Sequence, residues 1–525
     1  MAAITGPEPI ARSKPAAVGQ GRLARWLAPS LFDLIFLSVP AWLFLAGGLG
    51  FGSLLLDGDT GWHIRLGEWI LDNGRVPRAD IFSFTKAGEP WFAWEWLANV
   101  ILGALMKAGG LKAVLWWSAL LIALFAGIVL RHLIWRGVNL FIALPLAMLA
   151  VGVATIHLLA RPHLYTLVLL AALLWLVARD LDRPTPWVWM VIPSMALWTN
   201  LHGGWAGGVA SLAVITAGLT LEALLGRRSR AQVVRYALLT AGALSASVAN
   251  PYGIALHGHI YHYLRDGWIR DAVHEFQSPS FRGESMLQFE ALLLGGLLTA
   301  GLLLRRRRFV EALLILFWAH QALGSARHAP LFVIAVLPPL ASQLNGLWSH
   351  WVRSGRQNSV RRILDSVAQD SVPALRRCSL WLPAGALAIL LPAFNHVWPA
   401  DFPEQRFPVQ LAREYRSLLT GGRVFTNDDW ADYLLFANYP EQRVFFDGRS
   451  DFYGERLGRE YLRMMNGSSA WRDLLDRHRI DVALLEPGTG LASLLKVSPD
   501  WELIRDTGRE VLLVRRNEAK IQAGP

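Results

Sequence analysis

For the first 400 positions, apolar residues come in long runs broken by short polar turns; afterwards they come in short alternating runs. The long runs fall at 31–56, 113–131, 138–159, 164–179, 186–199, 205–225, 235–250, 287–304, 309–324, 329–345 and 378–397. A bilayer crossing takes about 20 residues, and several of these runs are shorter. The pattern predicts a polytopic α-helical membrane protein of about eleven transmembrane helices over 31–399. A short segment, 1–30, precedes it, and a small α/β soluble domain, 400–525, follows. In that tail, Arg423 to Thr426, Arg443 to Phe446, Asp481 to Leu485 and Glu510 to Val514 read as strands, with helices near 429–437, 454–465 and 470–478.

Composition agrees with a membrane chain. Apolar residues make up 53% and charged residues 17%, with 24 Trp. The tail holds 38 of the Asp, Glu, Lys and Arg residues, 18 basic and 20 acidic, a net −2, so the membrane part carries +13. This excludes a disordered chain, a disulfide scaffold and a cytosolic enzyme. A single cysteine, Cys378, forms no internal disulfide. The arginines sit in short loops between apolar runs and not on a soluble basic face, so no nucleic-acid partner is expected. Counting alternate loops with the N-terminal segment, 22 Lys/Arg fall on one side, including Arg131, Arg136, Arg227, Arg228 and Arg305 to Arg308. The positive-inside rule then places the N-terminus in the cytoplasm and the tail outside. The first run is long and starts late, so it is expected to stay uncleaved.

The polar chemistry falls on the outer side. The first outer loop, 57–110, opens with Asp57 and Asp59, and Trp62, His63 and Arg65 crowd the next turn. Acids beside hydrocarbon point to function. Two acids so spaced share a divalent cation such as Mg or Mn, or act as a base and its support. The plainer reading is a solvated helix cap. Trp69, Trp91, Trp94 and Trp96, with Glu95 among them, mark helices lying in the interface, as a Trp belt or as a lipid or acceptor surface. Arg161-Pro162-His163 and Ser325-Ala326-Arg327-His328 are outer turns whose cations suit a lipid phosphate; anchoring is the alternative. His202 lies in a glycine-broken turn and serves the site or the core equally well. Between Asn250-Pro251-Tyr252-Gly253 and Glu275, the histidines 257, 259 and 262 lack the H-E-x-x-H spacing of a zinc site. Glu275 reads as a second acid facing the same cavity. In the tail no nucleotide-binding motif occurs, and the acids at 428, 429, 447 and 451 read as a solvated rim in preference to an acceptor or metal site.

The topology, the acids at the end of the first helix, the amphipathic loop and the C-terminal soluble domain together resemble the C-type (GT-C) membrane glycosyltransferase superfamily. The D-x-D-x-x-W-H start and the N-P-Y-G turn are most similar to bacterial members. The W-W-D-Y-G signature of oligosaccharyltransferases is missing, which argues against Asn glycosylation. The resemblance implies a multi-pass protein of the bacterial inner membrane with its C-terminal domain in the periplasm. It implies an inverting enzyme that takes a sugar from a polyprenyl-phosphate donor to a lipid, glycan or protein acceptor. Its acidic motif falls on Asp57 and Asp59, and its phosphate-binding cations on Arg161 or Arg327. Asp59 is the expected base, with Asp57 as support or metal ligand. Substrate contacts are expected from His63, Arg65, Arg161, His163, His202, Glu275, Arg327 and His328. The alternatives are a transporter or flippase of lipid-linked sugars, a polysaccharide polymerase or ligase using outer Arg and His, and a silent scaffold.

Overall fold

The computed structural model describes residues 26–45, 49–356 and 359–516. Helix α1 (Leu31–Leu45) leads through the turn Gly50–Leu55 into α2 (Asp59–Asn73). Gly74, at φ 64°, ends α2 in the left-handed conformation that glycine adopts freely. Then α3 runs over Trp96–Trp135, broken at Gly109 and Gly110, the latter at φ 64°. The break separates an interfacial stretch from a span and falls where the first outer loop was expected to end. Helix α2 crosses the first part of α3 at Gly67 and Gly103. A Cβ on Gly67 would overlap the Asn99 carbonyl oxygen, so only glycine permits this approach.

The bundle continues with α4 (Leu140–Ala154), α5 (His163–Asp182), α6 (Val191–Leu201), α7 (Trp205–Leu224) and α8 (Arg230–Ala246). After the short α9 (Ala255–Arg265) and α10 (Gly267–Ala272) come α11 (Glu284–Arg305), α12 (Phe309–Gly324) and α13 (Ala329–Arg353). Among the described residues, six helices are long and apolar enough to cross a membrane, with shorter apolar helices at Leu31–Leu43 and Phe309–Gly324. Length and composition therefore do not reach the eleven crossings expected. Proline accounts for two of the shortfalls. The run at 186–199 becomes the turn Pro186–Met190 plus the 11-residue α6. After α14 (Val360–Leu375), the run at 378–397 becomes the 8-residue α15 (Trp381–Ala388) and the turn Pro392–Val397. Ser379 pins this return to α1, donating from Oγ to Asp33 at 2.7 Å and from its N–H at 3.1 Å.

The tail comprises α16 (Val409–Glu414), α17 (Arg416–Gly421), β1 (Val424–Phe425), α18 (Asp428–Asn438), α19 (Ser450–Met465), α20 (Trp471–Arg477), β2 (Val482–Leu485), α21 (Gly490–Val497), β3 (Trp501–Asp506) and β4 (Val511–Arg515). The sheet order is β1-β2-β4-β3. Val424 pairs with Val482 in parallel, and the other pairings are antiparallel. All four residues of β2 are buried, as a central strand requires. Edge strand β3 buries only Trp501, so it carries no alternation to read. The segment 443–446 is not part of this sheet. Its Val444 exchanges backbone hydrogen bonds with Phe82 and Phe84 of the outer loop, at 3.1 and 3.0 Å. Trp62, Leu66, Phe82 and Trp91 of that loop share one hydrophobic cluster with Phe425, Phe445, Phe452 and Tyr461. The tail and the loop thus form one packed unit.

Candidate active site

The outer turns and the tail meet at one end of the bundle around a cavity of about 670 Å³. Its first corner is built by tying two turns together. The Ala160 N–H donates to the Leu54 carbonyl at 2.8 Å, which sets Arg161 beside the start of α2. Arg161 then bridges both acids, with Nη1 2.5 Å from Asp57 Oδ2 and Nη2 on Asp59 Oδ2. Asp57 Oδ1 accepts the Asp59 N–H at 2.9 Å, and Trp62 Nε1 donates to Asp59 Oδ1 at 3.1 Å. Burial raises the proton affinity of both carboxyls, against the pull of Arg161.

The tail supplies the second wall. Asp432 on α18 is hydrogen-bonded to Asp59 and accepts the Gly448 N–H at 3.2 Å. Burial and then the Asp59 charge push Asp432 well above the carboxylate range. Gly448 packs so tightly here that a Cβ would overlap Asp59 Oδ1. Asp428, Asp429 and Asp451 also line the cavity, so they are not the solvated rim expected from sequence. Asp428 and Asp429 reach it because α18 lies directly against α2, and Asp451 reaches it from the start of α19. Asp429 pairs with Arg406 at 2.5 Å, and Asp451 with His259 Nε2 at 3.1 Å. Asp447 is fully buried and takes Arg449 in a fork of 2.7 and 2.6 Å, a clamp that Asp80 completes at 2.8 Å.

The third corner is the turn before α13. Ala326 N–H donates to the Gln277 carbonyl at 2.9 Å, which brings the 250–286 loop to Arg327. Glu275 Oε1 lies 3.4 Å from Arg327 Nη1, and Tyr263 Oη lies at 3.3 Å. Burial would raise Glu275, but Arg327 and Arg161 outweigh it and hold the carboxyl down to about 2. Between the two arginines lie four histidines. His163 Nε2 is 2.6 Å from the His157 carbonyl, and His157 Nε2 is 2.9 Å from the Arg327 carbonyl. His63 and His202 face Glu95, whose carboxyl burial pushes up to about 8.

The structure therefore gathers Asp57, Asp59, His63, Arg161, His163, His202, Glu275, Arg327 and His328 around one cavity. Arg65 is not among them. It bonds Glu68 at 2.5 Å, donates to the Phe436 carbonyl and joins α2 to α18. Glu95, read from sequence as part of a Trp belt or of a lipid or acceptor surface, and Asp428, Asp429 and Asp451, read in preference as a solvated rim, belong to the lining, and His157 and Asp432 join them. For Glu95 the signal was an isolated acid among tryptophans at the membrane interface. Asp57 and Asp59, read from sequence either as a base and its support or as a shared cation site, are both paired with the Arg161 guanidinium. Among the described residues, no three His, Cys, Asp or Glu side chains converge to hold a metal ion.

No family model matches the chain, and no curated protein matches it. Among solved structures, it resembles the archaeal oligosaccharyltransferase AglB from Archaeoglobus fulgidus, in complex with an inhibitory peptide and a dolichol-phosphate. The TM-score is 0.53 at 12% identity, over 87% of this chain and 69% of that one. It is also matched to ArnT from Cupriavidus metallidurans bound to undecaprenyl phosphate, with a TM-score of 0.48 at 14% identity, over 94% and 99%. The likeness to AglB is one of fold.

Proposed function

We propose that this protein is a membrane glycosyltransferase that moves a sugar from a polyprenyl-phosphate donor to an acceptor hydroxyl at the periplasmic face of the inner membrane. One observation carries the reading: two half-buried arginines, Arg161 and Arg327, stand in a single acid-rich cavity whose apolar lining includes Leu167, Ile260, Phe317 and Leu331. A lipid phosphate needs that pairing of cation and apolar lining at membrane depth. AglB, of the same fold, is described with a dolichol-phosphate, a carrier of this class.

Asp59 is the base in this reading. Its carboxyl accepts the proton of the acceptor hydroxyl as that oxygen attacks the anomeric carbon. A single displacement inverts that carbon. Arg161 and Arg327 stabilise the charge on the departing phosphate. Asp57 holds the turn through the Asp59 N–H. The acids of the tail offer acceptors for the hydroxyls of a sugar or a glycan, opposite the phosphate side.

The test is transfer from radiolabelled polyprenyl-phosphate sugars to membrane-lipid acceptors by the protein in detergent. Asp59→Asn keeps the side-chain size and is expected to melt like the wild type. Its transfer should fall by about 10²–10⁴-fold. Full activity of the variant sinks Asp59 as base. Donor binding without transfer by the wild type sinks the enzyme reading in favour of a transporter.

A further inference from the structure

Glu95 lines the cavity between the two arginines, and no step above uses it. Its carboxyl faces two imidazole nitrogens, His202 Nε2 at 3.4 Å and His63 Nε2 at 3.8 Å. The bonds on the far side of each ring fix its tautomer. His202 Nδ1 accepts the Gly204 N–H at 2.9 Å, so the ring proton sits on Nε2 and points at Glu95. His63 Nδ1 lies 2.7 Å from Asn99 Oδ1, an oxygen that only accepts, so the proton sits on Nδ1 and a bare Nε2 faces Glu95. One neighbour donates and the other accepts. The bare His63 Nε2 offers no donor to a Glu95 carboxylate, and at 3.8 Å it lies beyond hydrogen-bond reach, which leaves the O–H of a carboxylic acid free for a ligand.

Charge leads to the same state. Among the described residues, Glu95 makes no contact within salt-bridge distance except with these two imidazoles. Arg161 is already met by Asp57 and Asp59, and Arg327 by Glu275. Beyond them, Asp59 and Asp451 add negative charge around Glu95.

We propose that Glu95 is a neutral carboxylic acid that hydrogen-bonds and then protonates an oxygen of a phosphate bound between Arg161 and Arg327. The inference rests on the polyprenyl-phosphate reading of the cavity. In the transfer, the acceptor O–H bond breaks and its proton goes to Asp59. The bond from the anomeric carbon to the phosphate oxygen breaks, and its electron pair stays on that oxygen. The oxygen takes the Glu95 proton, so the phosphate leaves as a monoanion. The Glu95 carboxylate is held by His202 Nε2–H until the proton on Asp59 restores it, and the sum is unchanged. A second negative charge on the phosphate would be costly here, because the arginines already have carboxylate partners.

The probe is undecaprenyl phosphate, with its affinity for the detergent-purified protein measured between about pH 7 and 10, above the phosphate's own second ionisation near about 6. The wild type is expected to bind evenly up to about pH 8 and then lose about tenfold per pH unit, the signature of one required proton. Glu95→Gln presents the same donor and acceptor to the two histidines. It is expected to bind at pH 7 and to show no alkaline loss. Glu95→Asp keeps the acid and should keep the loss; it carries the test if the glutamine variant does not fold. An equal alkaline loss in Glu95→Gln, or wild-type binding that is level to pH 10, overturns the proposal. Wild type that binds no undecaprenyl phosphate at any pH overturns the donor reading beneath it.

Discussion

Two cavities of nearly equal volume lie at opposite ends of the bundle, about 670 Å³ at the outer turns and about 680 Å³ where α3, α5 and α7 end. Both are lined by arginines and acids, yet they differ in balance. At the far end Arg136, Arg228 and Arg308 face Asp182, Glu222 and Glu311. Most of these groups have a structural task. Arg136 and Arg308 hold Glu311 at 3.1 and 2.5 Å, and Arg228 holds Glu222 at 3.0 Å. Glu222 also accepts the Val310 N–H at 3.2 Å, at the start of α12. At the outer end eight carboxylates face three arginines. Paired charges fasten helices. A buried surplus of carboxyls raises proton affinities, and it is such groups that exchange protons with a ligand.

The contrast can be broken most directly by deleting one arginine from each end. Arg161→Ala strands Asp57 and Asp59. Transfer should fall by about 10²–10³-fold, with a loss of about 3 kcal/mol in stability. Arg136→Ala leaves Glu311 to Arg308. It should lower the melting temperature while transfer by the folded protein stays within about threefold. Equal losses of transfer from both variants would erase the distinction between the ends. Next in size is Gly448→Ala, which forces the tail away from Asp59. Overpacking should cost about 1–3 kcal/mol, and transfer should drop about 10-fold or more through misplacement of the base. Normal transfer in that variant would free the tail from the site. The smallest effect concerns acid stability. Glu275 is held down to about 2 in the fold, against an ordinary value of 4.5. Its contribution is present above about pH 4.5 and is lost as pH falls toward 2. Arg327→Gln should shallow that acid limb in melting curves, and an unchanged limb would detach Glu275 from Arg327.

Much of the site was legible because it lies where apolar runs end. Asp57, Asp59, Arg161, His202 and Arg327 each stand at or beside such an exit, where a polar side chain stands out against its neighbours. Asp432 had no such setting, being one acid on a soluble amphipathic helix. Only the packing of α18 on α2 makes it a partner of Asp59. Arg65 misled for the opposite reason. One helical turn beyond Trp62 and His63, it points to the tail and not to the cavity.

The sequence by itself determined the membrane character, the end of the first outer loop near residue 110, and the gathering of acids, histidines and arginines in alternate loops. Hydrophobic length and loop charge are local properties and can be read along the chain. The tertiary structure alone decided that segment 443–446 pairs with the outer loop and leaves the sheet. It also decided that the tail closes the cavity and that Glu95 stands between a donating and an accepting histidine. Those outcomes depend on which surfaces meet across hundreds of residues, and a one-residue change in register or a single Cβ at Gly448 would alter them.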